Sequence, residues 1–274
     1  MHDASSRSLI TDPNHPLIQR FRSLQTAPGR AASGLYVIEG IRHVFRAAQA
    51  QTRIEQLLIA PKALKNPAGR KLARRLRRAG TPCAIVAPEL YERMSLAAAP
   101  QGIAAILRQK WTPLNAAQPN EGSSWLAVER LESPGNLGTM IRTSEAAGAA
   151  GLILIGCAAD PHDPVAVRAT MGSLFSQKLV RTTAREFVAW SGRRRLMLVG
   201  ASPQAARDYR TIRYEKPLVI LVGSEKRGLS DGLCRACNSL VRIPILRSGV
   251  DSLNVAVAAG ILLYAALDQR PPLP

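Results

Sequence analysis

Leu218-Val-Ile-Leu-Val-Gly-Ser-Glu-Lys-Arg-Gly-Leu-Ser230 carries the pattern that decides the fold. Five apolar residues, Leu218 to Val222, run without polar alternation, which marks a strand buried on both faces. Gly223 follows at once, and a polar turn runs on to Gly228. A strand of this kind belongs in a parallel sheet, because crossover helices cover both of its faces. The same grammar recurs around it. Trp125–Val128, Gly151–Ile155, Leu196–Gly200 and Leu240–Ile243 read as further apolar strands. Asn136–Ala147 (ended by Gly148), Asp163–Thr170, Leu229–Cys237 and Leu253–Asp268 read as helices between them. The C-terminal half is therefore expected to be α/β, with a mostly parallel sheet.

Upstream, Lys110–Ser124 reads KWTPLNAAQPNEGSS, rich in Pro, Asn, Gly and Ser and without periodicity. It reads as a linker, so residues 1–115 and 125–274 are expected as two domains joined through 116–124. The first contains predicted strands at Leu35–Ile38, Ile54–Ala60, Cys83–Ala87 and Ile103–Arg108. Helices are predicted at Glu39–Ala50 and Ala63–Ala79, the latter stopped by Gly80. This is a smaller α/β domain.

Charge narrows the function. The 274-residue chain has 37 Lys and Arg against 19 Asp and Glu, a net +18. A chain so basic repels itself, and the usual reason to keep such a field is a polyanionic partner. Arg greatly outnumbers Lys, and its planar fork suits phosphate, which favours nucleic acid over an anionic membrane. Residues 1–115 hold 18 of the basic residues and 6 of the acidic ones. Their densest cluster is Lys71-Leu-Ala-Arg-Arg-Leu-Arg-Arg78. Leu72 and Leu76 can turn inward while Arg74, Arg75, Arg77 and Arg78 meet RNA phosphates. Arg193–Arg195 reads equally well as ordinary surface or as a second contact.

Other classes fall away. No apolar run reaches the roughly 20 residues of a spanning helix. Met1–Leu17 carries Asp3 and Asp12 and no apolar signal core, so neither export nor a membrane is expected, and the protein is placed in the cytoplasm. Cys234-x-x-Cys237 has no second pair to complete a tetrahedral site; Cys83 and Cys157 are isolated, and all four read as structural thiols with no metal. Asp160-Pro-His-Asp163 reads as a turn. The common phosphate loops, G-x-G-x-x-G after a first strand and G-x-x-x-x-G-K-[ST], are missing. Four histidines in the whole chain leave little for imidazole acid–base work.

Three loops remain, each after a predicted strand. Glu132-Ser-Pro-Gly-Asn-Leu-Gly-Thr-Met-Ile-Arg-Thr143 opens a helix, with Asn136 as the expected N-cap and Arg142 nearly two turns on. A capped helix with a solvated Arg explains it as well as an anion site does. The second, Leu221–Ser230, puts Glu225 between Gly223 and Gly228 at a strand's C-terminal edge, where α/β sheets bind ligands. The third, Ile243-Pro-Ile-Leu-Arg-Ser-Gly-Val-Asp-Ser-Leu-Asn-Val255, enters the last helix. Capping by Ser252 explains that residue, but not Asn254, a poor helix former.

Taken together, Pro134-Gly-Asn-Leu-Gly up to Arg142, Gly223-Ser-Glu up to Leu229, and Ile243-Pro followed by Ser252-Leu-Asn-Val255 closely resemble the SpoU-type (TrmH-like) branch of the SPOUT methyltransferases. The resemblance covers Ser124 to Asp268. Through Val37-Ile-Glu-Gly40 and Gln101-Gly-Ile-Ala-Ala105, the first domain resembles that family's ribosomal-protein-like substrate-binding domain. The resemblance implies a catalytic domain closed by a C-terminal trefoil knot, a rarity among folds. It implies a homodimer whose active sites are completed across the interface. S-adenosyl-L-methionine is expected on backbone groups of Gly223, Ile243 and Leu253. The implied catalytic set is Asn136, Arg142, Glu225, Ser252 and Asn254. Arg168-Ala-Thr-Met-Gly-Ser173 resembles a stretch near the family's site, which makes Arg168 an expected RNA contact. Lys226 stands where many relatives carry Gly and adds a cation for RNA.

The implied reaction moves a methyl group to a ribose 2′-hydroxyl. A sulfonium-bound methyl is electrophilic without a metal. The protein must align the hydroxyl, help remove its proton and exclude water. An arginine stays protonated, so Arg142 suits holding the target phosphate and steadying the alkoxide better than acting as free base. The proton can leave through phosphate, water or Glu225. Ribosomal RNA is favoured over transfer RNA because the separate basic domain resembles those of ribosomal RNA enzymes. A catalytically silent RNA-binding protein and a base methyltransferase are the rival readings.

Overall fold

The computed structural model describes residues 9–119, 123–246, 249 and 252–269. Its elements, in chain order, begin with β1 (Leu9–Ile10), α1 (Pro16–Ser23), α2 (Ala27–Ser33), β2 (Leu35–Glu39), α3 (Ile41–Gln49), β3 (Ile54–Ile59) and α4 (Pro67–Arg78). There follow β4 (Cys83–Val86), α5 (Pro88–Met94), β5 (Ile103–Arg108), β6 (Ser124–Glu129), α6 (Pro134–Ala146), β7 (Gly151–Ile155) and α7 (Pro164–Thr170). The chain continues through β8 (Lys178–Thr182), α8 (Ala184–Gly192), β9 (Met197–Ala201), β10 (Arg207–Asp208) and β11 (Leu218–Val222). It ends with α9 (Asp231–Ala236), β12 (Ser239–Arg242) and α10 (Val255–Asp268).

Contacts divide the chain into two compact units. One holds the described residues up to Gln109 together with His162–Phe175; the other holds Lys110–Pro161 and the described residues from Ser176 onward. In the first unit five strands lie in the order β1-β4-β3-β5-β2, with β5 antiparallel to both neighbours. Ile18, Phe21, Leu58, Tyr91 and Ile106 lie in its buried core. The segment around α7 is fastened to this unit by polar contacts as well. Asp163 caps α7 through one oxygen, which accepts from Val165 N at 2.9 Å, and takes Arg30 Nη2 on the other at 2.9 Å. Arg30 is buried, and removing one member of such a pair leaves a charge stranded. This gives the Asp160–Asp163 turn a structural use.

The second unit is built on seven strands in the order β10-β12-β9-β11-β6-β7-β8, all paired parallel. Trp125, Ile153, Val180, Phe187, Trp190 and Leu221 fill one side. Register places the loops. Val222 stands opposite Val128, so β6 and β11 end level and their following loops leave side by side. Strand β9 pairs with β11 on one side and β12 on the other, so the same edge receives the loops after β9 and β12. Parallel strands gather all these connections at one carboxyl edge.

Helix starts depart from the sequence reading in an informative way. Asn136 is not the N-cap of α6: Ser133 is, its hydroxyl accepting from Asn136 N at 3.3 Å, with Pro134 at the first helical position. Ser252 does not cap α10: Asn254 does, accepting from Ala256 N and Val257 N. In α4, Asn66 caps and Pro67 leads, so the helix begins later than Ala63. In each case a side-chain acceptor was present at the position that adopts extended dihedrals, and the helix begins after it.

Candidate functional site

The three loops singled out above meet through three side chains of the second unit. The geometry starts at α10. The backbone N–H groups of Ala256 and Val257 donate to Asn254 Oδ1 at 2.9 and 3.3 Å. With its oxygen engaged, the Asn254 amide presents only its NH2 group outward. Asn254 Nδ2 donates to Asn136 Oδ1 at 3.1 Å, and Asn136 Nδ2 then donates to Glu225 Oε1 at 2.8 Å. One helix end therefore fixes the orientation of two amides and one carboxylate. The chain of donors ends on an acceptor with a second oxygen to spare. Asn136 occupies the first turn of α6, half-buried; Glu225 and Asn254 are exposed.

The loop bearing Glu225 is a tight hairpin. Ser224 N donates to Gly228 O at 3.2 Å and Gly228 N returns a bond to Ser224 O at 3.0 Å. Gly228 is in the left-handed region at φ +63. A Cβ on Gly223 would overlap the backbone of Gly228 and Leu229, so only glycine fits where the hairpin closes on its strand. Glu129, buried at the end of β6, accepts from Ser230 N at 2.7 Å and holds the far side of the hairpin.

Next to these residues is a cavity of about 360 Å³. Gly223, Ile243 and Leu253, the expected cofactor-binding residues, all line it, as do Glu225, Ser252 and Gln204. Its lining comes from three loops and mixes apolar residues such as Ile243, Leu253 and Val255 with polar ones such as Gln204 and Ser252, a composition suited to an adenosine. A second hollow of about 560 Å³ adjoins Glu225 and is lined by Arg130, Lys226 and Arg227 along with Glu132 and Ser133. This puts Lys226 on a basic approach to the polar chain. A larger hollow, about 640 Å³, opens beside the opposite strand ends around Arg195, Arg207 and Arg213 and contains none of these residues.

The other expected site residues take no part in this hydrogen-bonded chain. Arg142 is exposed on α6, six residues beyond Asn136. At about 100° per residue, six residues turn the helix through roughly 600°, which leaves Arg142 about 120° around from Asn136. Among the described residues it makes no hydrogen bond or ion pair. Ser252 is exposed and touches the cavity without joining the amide chain. Arg168 lies in the first unit, where Nη1 donates to Leu96 O at 3.5 Å. Arg74, Arg75, Arg77 and Arg78 are exposed along α4, as expected. Four residues of the third loop (247, 248, 250 and 251) lie outside the described residues.

Sequence reading missed Glu129, Arg130 and the cavity wall at Ser202–Gln204. Their signal was position, directly after strands at the ligand-binding edge, with no motif to mark them. The C-x-x-C pair is a packing feature. Burial pushes the Cys237 thiol up to about 12, and Cys234 is also raised, first by burial and then by Asp231.

Comparison with known proteins gives the chain's relatives. Residues 124–264 match the SpoU rRNA Methylase family, and residues 15–105 match the MRM3-like substrate binding domain. The 23S rRNA (uridine(2479)-2'-O)-methyltransferase of Streptomyces viridochromogenes is 32% identical, over 92% of this chain and 90% of its own. A 23S rRNA (guanosine(2553)-2'-O)-methyltransferase of Bacillus subtilis is 26% identical, over 93% and 97%. The crystal structure of an AdoMet-bound rRNA methyltransferase from Sinorhizobium meliloti superposes with a TM-score of 0.88 at 32% identity, covering 97% of this chain and 99% of that one.

Proposed function

The chain belongs to the SpoU rRNA methylase family, and on that footing we propose that it transfers a methyl group from S-adenosylmethionine to a ribose 2′-hydroxyl of ribosomal RNA. The observation that carries the reading is the Asn254–Asn136–Glu225 chain beside the cavity after β11 and β12. Its polar groups come from all three motif loops, and an RNA-binding protein without catalysis has no need to align them.

Each residue has work to do. Gly223, Ile243 and Leu253 hold the cofactor through backbone groups, which orient a ligand without side-chain freedom to lose. When bound, S-adenosylmethionine supplies an electrophilic methyl group. Asn136 holds one oxygen of Glu225, and we assign the other oxygen to the proton of the ribose hydroxyl, directly or through water. Arg142 grips the target phosphate and steadies the developing alkoxide. Ser252 lines the cavity wall and completes the set.

Arg142 enters from a second copy of the chain. What supports this is its phase on α6, turned away from Asn136, together with apolar side chains left in solvent on α10 and the loop before it. Val257 is 51% exposed, Tyr264 44% and Leu246 96%. A homodimer would cover them and deliver the partner subunit's Arg142. We also read the stretch from β12 through α10 as a trefoil knot. Supporting this, β12 lies beyond β9, yet α10 returns to pack on α6 and β11. Residues 1–115 are assigned to substrate RNA, 116–124 to a linker and 125–274 to catalysis, except that His162–Phe175 goes with the first unit by contact; the cytoplasm is the setting. Two relatives that modify uridine and guanosine suggest that the methylated base is not set by the shared catalytic loops.

Methyl transfer from labelled S-adenosylmethionine to unmodified bacterial ribosomal and transfer RNA, assayed separately and followed by alkaline digestion, tests the reading. Label in alkali-resistant dinucleotides from ribosomal RNA is the expected result. Label in ordinary mononucleotides means base methylation and overturns it. Absence of label on both RNAs and on ribosomal particles, with cofactor still bound, leaves a silent binding protein.

A further inference from the structure

Helix α4 carries Arg70, Lys71, Arg74, Arg75, Arg77 and Arg78 in twelve residues and no carboxylate. Arg70 and Arg74, Lys71 and Arg75, and Arg74 and Arg78 are neighbours one turn apart, so like charges face each other along the helix. The basic last turn suits the helix dipole, but repulsion along the rest is uncompensated within the helix. Beside it lies α3, whose core side is His43, Val44 and Ala47. The two helices meet where α4 has no side chain: a Cβ on Gly69 would stand 2.8 Å from Ile41 Cδ1. One turn along α3 from Ile41 is Phe45, 45% exposed. Between the helices runs a groove of about 720 Å³, with Ile41, Phe45 and Leu72 on its floor and Arg74, Arg75 and Arg78 on its rim.

An aromatic ring left in solvent in a groove whose facing helix carries a row of cations has a specific complement. We propose that this groove takes an unpaired nucleotide of the RNA substrate, its base stacked on Phe45 and its flanking phosphates held by Arg74, Arg75 and Arg78. Every base has a π-face, so the stacking tolerates any sequence, while the phosphates supply most of the affinity. A paired base keeps both faces inside its helix, so a duplex meets the cations but not the ring. The unit therefore selects loops and single strands over continuous helix. The inference rests on the reading of the chain as an RNA methyltransferase, but its test does not depend on methyl transfer.

The full-length protein is titrated with fluorescent oligouridine of about twelve nucleotides and with a duplex of equal length, over a range of salt. Phe45→Leu keeps the groove apolar and removes the ring. It is expected to weaken single-strand binding about tenfold, with the salt slope and duplex binding unchanged. Phe45→Trp should keep the parent's affinity. Arg75→Gln should flatten the salt slope by about one phosphate contact for both ligands. Unchanged thermal midpoints confirm that the variants fold. If Phe45→Leu binds the single strand as tightly as the parent, or weakens the duplex equally, the groove is no base platform. Polyglutamate binding that matches oligouridine and needs Phe45 would overturn it in favour of an acidic protein partner. Methyl transfer to ribosomal RNA, measured in parallel, separates the two ideas. Loss of transfer with Phe45-dependent binding intact removes the catalytic reading alone; normal transfer with binding indifferent to Phe45 removes the groove alone.

Discussion

Asn254 does two jobs with one amide, and the two can be separated. Its oxygen caps α10 and its nitrogen orients Asn136. Serine is as good a cap as asparagine but has no second donor to offer in the same direction. Asn254→Ser is therefore expected to unfold near the parent's temperature and to lose at least tenfold in methyl transfer at unchanged cofactor affinity. Asn254→Ala should lose about 1 kcal/mol of stability as well. Full activity in the serine variant, read by single-turnover assay, would reduce the Asn254–Asn136 bond to scaffolding. Gly223→Ala is the complementary case, in which the extra methyl must push the hairpin off its strand. It should cost about 1–3 kcal/mol and weaken cofactor binding by tenfold or more in calorimetry, because the displaced backbone is the cradle. At this scale the sequence was legible as to which polar residues come together, Asn136, Glu225 and Asn254, but not as to how each is held. Asn136 and Ser252 both looked like caps, and both were passed over for a neighbour. Cap position depends on which residue takes extended dihedrals. Around α6 that was decided by Ser133 preceding Pro134, whose fixed φ starts the helix.

Elements were legible where apolar runs were long. Gly151–Ile155, Leu218–Val222 and Ile103–Arg108 match the strands as read, because both faces of each are buried. Strand β8 was not anticipated: Lys178-Leu-Val-Arg-Thr182 sits at the sheet edge, where its two charged residues leave neither an apolar run nor a clean alternation. Helices α1, α2 and α5 are seven or eight residues long, too short for a period to emerge, and a proline near the start of each is a weak signal by itself. Helix α8 was missed despite a capping box of Thr183 and Glu186. Helix α3 holds a titratable group that gives the first unit a pH signature. Burial lowers the His43 pKa from 6.5, opposed by the carbonyls of Glu39 and Val167 and aided by the charges of Arg42 and Arg168. The unfolded chain takes its proton near 6.5 while the folded chain resists. Stability from this residue is thus complete above pH 6.5 and is lost as pH falls below it. The parent's thermal midpoint should drop more steeply between pH 7 and pH 5 than that of His43→Gln; parallel curves would show that His43 titrates normally.

At the scale of the whole molecule, net charge pointed to a polyanion and the motif loops to methyl transfer, but chain order hid how segments are grouped. His162–Phe175 lies between two strands of the second unit in sequence and belongs by contact to the first. No local pattern signals this, because the grouping rests on partners far away in the chain, such as Arg30 for Asp163. The same limit applies to Arg142, which is visible as a motif residue and yet set apart from Asn136 by helical phase. If the site is shared between two copies, two defective chains should repair each other. Arg142→Ala and Glu225→Gln are each expected to be inactive alone. Refolded together in equal amounts, half of the dimers are mixed, and each mixed dimer has one site carrying both defects and one carrying neither. About a quarter of the parent's activity should return. Recovery near that level would make the dimer the catalytic unit and fix Arg142 as a group delivered across the interface. With mixed dimers confirmed by mass and no activity recovered, Arg142 and Glu225 would have to serve the same site from one chain. Arg142 would then need to swing around α6 when RNA binds, and Arg142→Lys, which keeps the charge but loses the fork, would become the variant that distinguishes a phosphate grip from simple charge.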